Sequence, residues 1–415
     1  MDASLGIGKR VKRYRETAGR SQAVVAGLCG ITERYLSMIE SGQKTPSSKI
    51  LSLLATELGV PIASLLSDSP GAEPQAADRA APDVVRTLMG YGRPSLKEPA
   101  ASPTDLRERV EQSWSCWQTS KDRFSRAEET LPALIGDVEH ALAARRRGSD
   151  AAERRDVLRI AADLYGLLRS YCRRVGRLDL SLMAADRAIR VAEEADDPVR
   201  LAGAQWNLGH VLLSDTRDGA AEEAKDVVLG AVDRIRGETN TSGLTAVRGA
   251  LELVAVVADA RQRDWWKARE RLKTAASLGQ EAGEGNVQRT VFGPTNVNLH
   301  AMSIEMLAGE AAEALRMADQ LDTRVLPSRE RQFTFGLEVA RCHALRREDA
   351  AVYVHSLGLE ELAPEDLARS SQGLALVTDL VLYARVSSPD QETGPRIRML
   401  SPAARSRGLR TCPSA

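Results

Sequence analysis

Two short runs set polar side chains at spacings that suit ligand recognition. Gln205-Trp206-Asn207-Leu208-Gly209-His210 puts Asn207 and His210 three apart, and Phe292-Gly293-Pro294-Thr295-Asn296-Val297-Asn298-Leu299-His300 puts Asn296 and His300 four apart. On a helix, either spacing brings the pair to one face. A carboxamide both donates and accepts, so in a groove it can bond the N–H and C=O of an extended peptide, with Trp206 or Phe292 as an apolar wall. The same side chains equally suit bonding to neighbouring helix ends, and Gly293-Pro294 equally suits starting or kinking a helix. The residues alone leave both readings open. The chain has no phosphate loop of the form G-x-x-x-x-G-K-[ST], no G-x-S-x-G elbow and no H-E-x-x-H pair, and its close glycine pairs, such as Gly6 and Gly8, lack a third glycine. Five histidines show no metal-like spacing with carboxylates, and five scattered cysteines never form a C-x-x-C pair. No enzyme activity, metal or cofactor is expected.

Positioning these groups takes more than one folding unit, because 415 residues exceed a typical domain of roughly 100–200 residues. Net charge is zero, with 57 basic and 57 acidic side chains, yet it is unevenly spread. Residues 1–66 hold nine basic and five acidic groups, a balance of +4 that the remaining chain offsets with −4. A small basic module joined to a larger acidic one predicts a polyanion reader with a separate control domain. The longest uncharged apolar stretch, 253–258, is far too short to span a bilayer, and residues 1–12 lack the apolar core of a secretory signal. A cytoplasmic location is expected.

Within the basic module, Ile7, Val11 and Tyr14 mark a first amphipathic helix. Ser21 is a fitting N-cap for a second helix with Val25, Ala26 and Leu28, and Gly30 is suited to a left-handed turn. Thr32 caps a third helix, Glu33–Glu40; Ser47 or Ser48 starts a fourth, and 62–66 forms a fifth. Five short helices with a tight turn between the second and third have a helix-turn-helix layout.

The string S-Q-A-V-V-A-G-L-C-G-I-T-E-R-Y-L-S-M-I-E-S-G-Q-K-T-P-S resembles the Cro/repressor-type, or xenobiotic-response-element, family of helix-turn-helix regulators. The features that match are Ser21-Gln22, Ala26, Gly30, Tyr35-Leu36-Ser37, Ile39-Glu40, Gly42 and Pro46. That likeness implies a lambda-repressor-like domain over 5–68 whose third helix enters the major groove. Thr32, Glu33, Arg34 and Ser37 would then meet base edges, while Gln22, Tyr35, Lys44 and Thr45 would hold phosphates. Arg15 and Glu40 resemble a family pair that bridges the first and third helices. Members usually bind pseudo-palindromic double-stranded operators as homodimers.

Residues 69–104 hold six of the 17 prolines without apolar periodicity, which predicts a flexible linker. From 105 to 386 amphipathic helices follow one another, and small or apolar residues recur in register: Ser181, Ala185 and Ala188; Ala224, Val228 and Ala231; Ala268, Leu272 and Ala275; Ala314, Ala318 and Leu321. These sets, with Leu208-Gly209, resemble tetratricopeptide repeats, although their period of 43 to 46 residues exceeds the usual ~34. The resemblance implies an all-α chain whose second domain is an α-solenoid serving as sensor and dimer platform, followed by a tail over 387–415. The segment F-G-P-T-N-V-N-L-H is similar to one in bacterial regulators that join this helix-turn-helix to such repeats, and the architecture resembles peptide-pheromone sensors. The expected function is a transcriptional regulator with a peptide, small ligand or protein partner in the repeat groove. An interaction scaffold with a DNA-localising head is the alternative.

Overall fold

The computed structural model describes residues 7–17, 20–58, 65, 81–90, 99–145, 150–215, 217–238 and 241–387. Among these residues are nineteen α-helices, two single-turn 3-10 helices and no strand, and the chain divides into two units, Met1–Asp78 and Arg79–Ala415.

In the first unit α1 (Ile7–Thr17), α2 (Gln22–Leu28), α3 (Glu33–Glu40) and α4 (Ser48–Glu57) surround a core of Val11, Val25, Leu36, Ile39 and Leu54. The helix starts are set by side-chain caps: Ser21 accepts from the Val24 amide at 3.3 Å, Thr32 from Tyr35 at 3.2 Å, and Ser47 from Ile50 at 3.4 Å. Gly30, at φ +63°, makes the left-handed turn between α2 and α3. α1 and α3 approach so closely that a Cβ on Gly8 would lie 1.9 Å from the Ile39 carbonyl oxygen. Of the expected fifth helix at 62–66 only Leu65 is described; its side chain is buried in this core, and its carbonyl accepts from Arg10 Nε at 2.8 Å.

The second unit opens with a departure from expectation. Residues 82–88, inside the stretch read as linker, form α5 (Pro82–Leu88), with Val84 and Leu88 buried on the unit's first apolar cluster. The Tyr171 hydroxyl accepts from the Ala81 amide at 3.0 Å, and Arg187 Nη1 donates to the Leu88 carbonyl at 3.0 Å. Pro82 starts α5 and Pro103 starts α6; at a first helical position proline's missing N–H is harmless and its fixed φ helps. The proline count therefore misled. The rest of 69–80, residues 91–98, and the expected tail beyond 387 lie outside the described residues.

Six helical hairpins follow: α6 (Pro103–Thr119) with α7 (Arg123–Ala144), α8 (Ala151–Arg174) with α9 (Leu178–Glu194), α10 (Pro198–Leu212) with α11 (Ala220–Ile235), α12 (Ser242–Arg261) with α13 (Trp265–Ala282), α14 (Pro294–Ala308) with α15 (Ala311–Ala318), and α16 (Arg329–Leu345) with α17 (Asp349–Leu362). The short α18 (Pro364–Arg369) and then α19 (Ser371–Ser387) close the order. From α6 onward each helix packs on its sequence neighbours, and from α6 to α16 each first helix of a hairpin also touches the first helix of the next. That is solenoid stacking.

The recurring small residues lie on the second helices, and the first three sets are buried apart from half-buried Leu272. In the fourth set Ala314 and Ala318 are buried, while Leu321 follows the end of α15 and is half-buried. Leu131, Ile135 and Val138 on α7 and Val352, Ser356 and Leu359 on α17 are buried at the same spacing, extending the pattern to both ends. On the first helices, glycine permits the contact: a Cβ on Gly209 would meet Val228 Cγ1 at 2.6 Å. The superhelix also closes on itself, because α6 touches α16.

Candidate functional site

In the first unit α3 has two unlike faces. Leu36 and Ile39 are buried, and Glu40 is fixed from inside: Arg15 donates to its two oxygens at 2.6 and 2.9 Å, and Gln22 Nε2 donates to Oε2 at 2.7 Å. This ties α1, α2 and α3 together, as expected for Arg15 and Glu40. Gln22, expected at a phosphate, gives one of its two amide N–H groups to Glu40.

The opposite face is free. Thr32, Glu33, Arg34 and Ser37 are exposed, and Glu33 and Arg34 form no ion pair among the described residues. Thr32 Oγ1 caps its own helix, which leaves its hydroxyl proton available. Lys44 and Thr45 are exposed in the following loop, and half-buried Tyr35 packs against the core. A short helix presenting an arginine and a carboxylate at its N-terminal end has the donors and acceptors that read guanine and cytosine in the major groove.

In the second unit the first helices α6, α8, α10 and α16 between them line two adjoining cavities. A chamber of about 180 Å³ is lined by Trp206 and His210 of α10, arginines 169, 173 and 174 of α8, and Glu330 and Arg331 of α16. Asn207 instead lines an adjoining cavity of about 300 Å³ and accepts from Arg169 Nη2. Trp206 is a wall of the chamber: the His210 ring stands edge-on to it at 4.6 Å, and the Arg169 guanidinium lies 5.5 Å from its ring centroid.

The second polar cluster lines neither of these cavities among the described residues. Phe292 is fully buried over Gly249, where a Cβ would sit 1.9 Å from the ring. Gly293 is pressed against Glu284, Pro294 begins α14, and Glu284 Oε1 accepts from the Thr295 amide at 2.8 Å. Phe292 is thus a core residue rather than the apolar wall expected for a ligand. Asn296 is buried with its Oδ1 unpartnered, and His300 Nδ1 donates to the Asn296 carbonyl at 2.8 Å.

Electrostatics single out this interior. Burial, then the nearby arginines 173, 331 and 169 and finally His300, hold His210 well below the usual histidine range. Burial, then Arg331, pushes His300 down to about 4. Both rings are neutral near pH 7. Burial pushes the Arg169 guanidinium down to about 9, and burial followed by Arg174 lowers Arg173. Burial would raise Glu330, but Arg174, Arg123 and Arg173 outweigh it and hold that carboxylate well below its usual range. Sequence reading passed over these arginines because charges on a helix surface ordinarily mark a solvated face. Only the close pair Arg173-Arg174 beside apolar Tyr171 and Cys172 hints otherwise.

Residues 11–65 match the model of a helix-turn-helix family, so the first unit is a helix-turn-helix domain. No curated protein matches the chain. Among solved structures, the likenesses include PlcR from Bacillus thuringiensis in complex with the peptide PapR7 and DNA, at 10% identity and TM-score 0.32, covering 84% of this chain and 99% of that one. A Rap protein complexed with competence and sporulation factor aligns at 12% identity and TM-score 0.39, over 97% and 98% of the two chains. ComR from S. thermophilus, with DNA and its signalling peptide ComS, aligns at 13% identity and TM-score 0.30, over 86% and 99%. At these scores the alignments bear on neither site.

Proposed function

We propose that this chain is a sequence-specific DNA-binding transcriptional regulator, acting as a homodimer, whose helical-repeat unit senses a ligand or partner in its lumen. The observation that carries the reading is the divided α3, locked to α1 and α2 through Glu40 while Thr32, Glu33, Arg34 and Ser37 stay exposed, Thr32 as the cap of the helix. In the major groove Arg34 pairs bidentately with guanine and Glu33 accepts from cytosine, while Lys44 and Thr45 meet phosphates that fix register. One such module makes few contacts, so a second copy supplies the other half-site, and the repeat unit holds the two copies together. Ligand binding then shifts the population between dimer arrangements.

Gel shifts on DNA upstream of the protein's own gene test this. Arg34→Ala is expected to lose ~1–3 kcal/mol of discrimination between operator and unrelated DNA. Lys44→Ala is expected to weaken binding to every sequence alike and lower the salt dependence. Equal affinity of the wild-type protein for operator and unrelated DNA would refute the reading. Mass in solution tests the dimer.

A further inference from the structure

The chamber at the heart of the repeat unit holds more positive charge than its own carboxylates balance. Arg169, Arg173, Arg174 and Arg331 all line it, and among the described residues Glu330 is its one acidic lining residue. Glu330 is already shared: Oε1 accepts from Arg173 at 3.4 Å and from Arg174, while Oε2 accepts from Arg123 at 3.1 Å. The other carboxylates nearby are spoken for. Asp366 is paired bidentately with Arg123, and burial pushes the Glu338 carboxyl, which accepts from Ser303, up to about 7. Arg289, also on the wall, pairs with Glu111.

The donors show the same excess. Arg169 is 3% exposed and its Nε has no hydrogen-bond partner among the described residues; nor have the buried Nε atoms of Arg173 and Arg174. Arg331 forms no ion pair among the described residues. Buried guanidinium N–H groups normally find acceptors, and buried charges are normally paired. Here three arginines of α8, at positions 169, 173 and 174, line the chamber and meet a fourth from α16, and repulsion among them opposes the closed form. An acceptor-rich anion would supply what is missing, since planar guanidinium forks match carboxylate and phosphate oxygens two at a time.

We infer that this chamber is a binding site for a compact polyanion, a phosphate ester or a polycarboxylate, gripped by Arg169, Arg173 and Arg331 with Trp206 as its apolar wall. The inference rests on the sensor reading and narrows it to a ligand class. Size agrees: about 180 Å³ equals the liquid volume of roughly six waters, room for a small multiply charged molecule.

The test uses the full chain, with inorganic pyrophosphate and citrate as probes at matched ionic strength. Either probe is expected to raise the thermal midpoint saturably; pyrophosphate alone identifies the phosphate class, citrate alone the carboxylate class. Arg331→Gln is expected to weaken the response at least tenfold and, by relieving repulsion, to raise the midpoint of the unliganded protein, which loss of a merely structural arginine would lower. Arg324→Gln, at a solvent-exposed arginine that pairs with Asp322, is the control and keeps the response. Arg169→Gln is the second lumen variant. No saturable shift with either probe, or an undiminished shift in both Arg331→Gln and Arg169→Gln, overturns the proposal. Operator affinity is read separately, so failure of DNA recognition leaves this result standing and the reverse also holds.

Discussion

His300 shows how one side chain records its surroundings in a pH profile. Held at about 4 when folded, against 6.5 unfolded, it binds a proton in the unfolded chain over a range where the folded chain leaves it bare. Stability linked to His300 is therefore full above about 6.5 and drains away as pH falls toward 4, by at most about 3 kcal/mol. Glu338, raised to about 7, runs the other way: its protonated form is favoured by folding, so its contribution declines as pH rises from 4.5 through 7. Because the two overlap, the wild-type curve mixes them, and the difference between variants is what isolates one. His300→Asn keeps an amide able to donate to the Asn296 carbonyl without a titrating ring. It is expected to lose less stability than wild type between pH 6.5 and 5, as measured by thermal midpoints; parallel curves would show that His300 is not the acid-sensitive group. Gly249 is the steric counterpart, since a Cβ there meets Phe292 at 1.9 Å. Gly249→Ala should cost ~1–3 kcal/mol or more in chemical denaturation, as overpacking does.

At the level of helices, α5 separates composition from structure. Proline spacing made 69–104 look like linker, whereas Val84 and Leu88, four apart and both buried, make α5 part of the repeat unit's core. Leu88→Ala is expected to destabilise that unit by ~2–5 kcal/mol; a linker residue would change nothing, and thermal denaturation decides. The helix-turn-helix unit was legible because its information is local: caps at Ser21 and Thr32 and a left-handed Gly30 lie within a few residues of what they determine. The hairpin register was legible from small residues, but only where they are small. Leu131, Ile135 and Val138 keep the same spacing with large side chains, so the register of the first hairpin did not stand out among its expected helices. Of the two ligand clusters, the one with Trp206 and His210 does reach the lumen. Phe292 does not, because Gly249, distant in sequence, receives its ring, and no local pattern reports that. The lumen arginines were illegible for a related reason: which face of α8 meets water depends on α16, over 150 residues away.

Closure of the repeat unit is the property furthest from local sequence, and it has a definite physical basis. Arg123, 1% exposed at the start of α7, donates Nε to Asp366 Oδ2 at 3.0 Å and Nη1 to Glu330 Oε2 at 3.1 Å, and lies over the Trp117 ring at 4.3 Å. Beside it the Phe124 amide donates to Glu365 at 2.7 Å, and Arg329 Nε donates to the Thr119 carbonyl at 2.8 Å. Among the described residues, the first hairpin's apolar cluster contains none from α16 to α19. The seam is therefore chiefly polar, and its strength depends on keeping both members of each buried pair. Removing one member of such a pair costs ~3–5 kcal/mol, whereas replacing both by apolar residues of similar volume is close to neutral. Arg123→Met is accordingly expected to lower the thermal midpoint and to increase the radius of gyration in solution scattering, as the stacked hairpins relax from a closed to an open superhelix. The double variant Arg123→Met with Asp366→Leu recovers most of the lost stability. If the single variant scatters and melts like wild type, the stacking of neighbouring hairpins alone sets the curvature, and the pairs across the seam merely follow it. Glu330 belongs both to this seam and to the arginine chamber, so a chamber anion that drew Arg173 and Arg174 from Glu330 would free that carboxylate to bind Arg123 more tightly. Scattering by the Arg123→Met variant with and without pyrophosphate reads that coupling: a ligand-dependent contraction in wild type that vanishes in the variant is the expected result, and a contraction that persists without Arg123 places the coupling elsewhere.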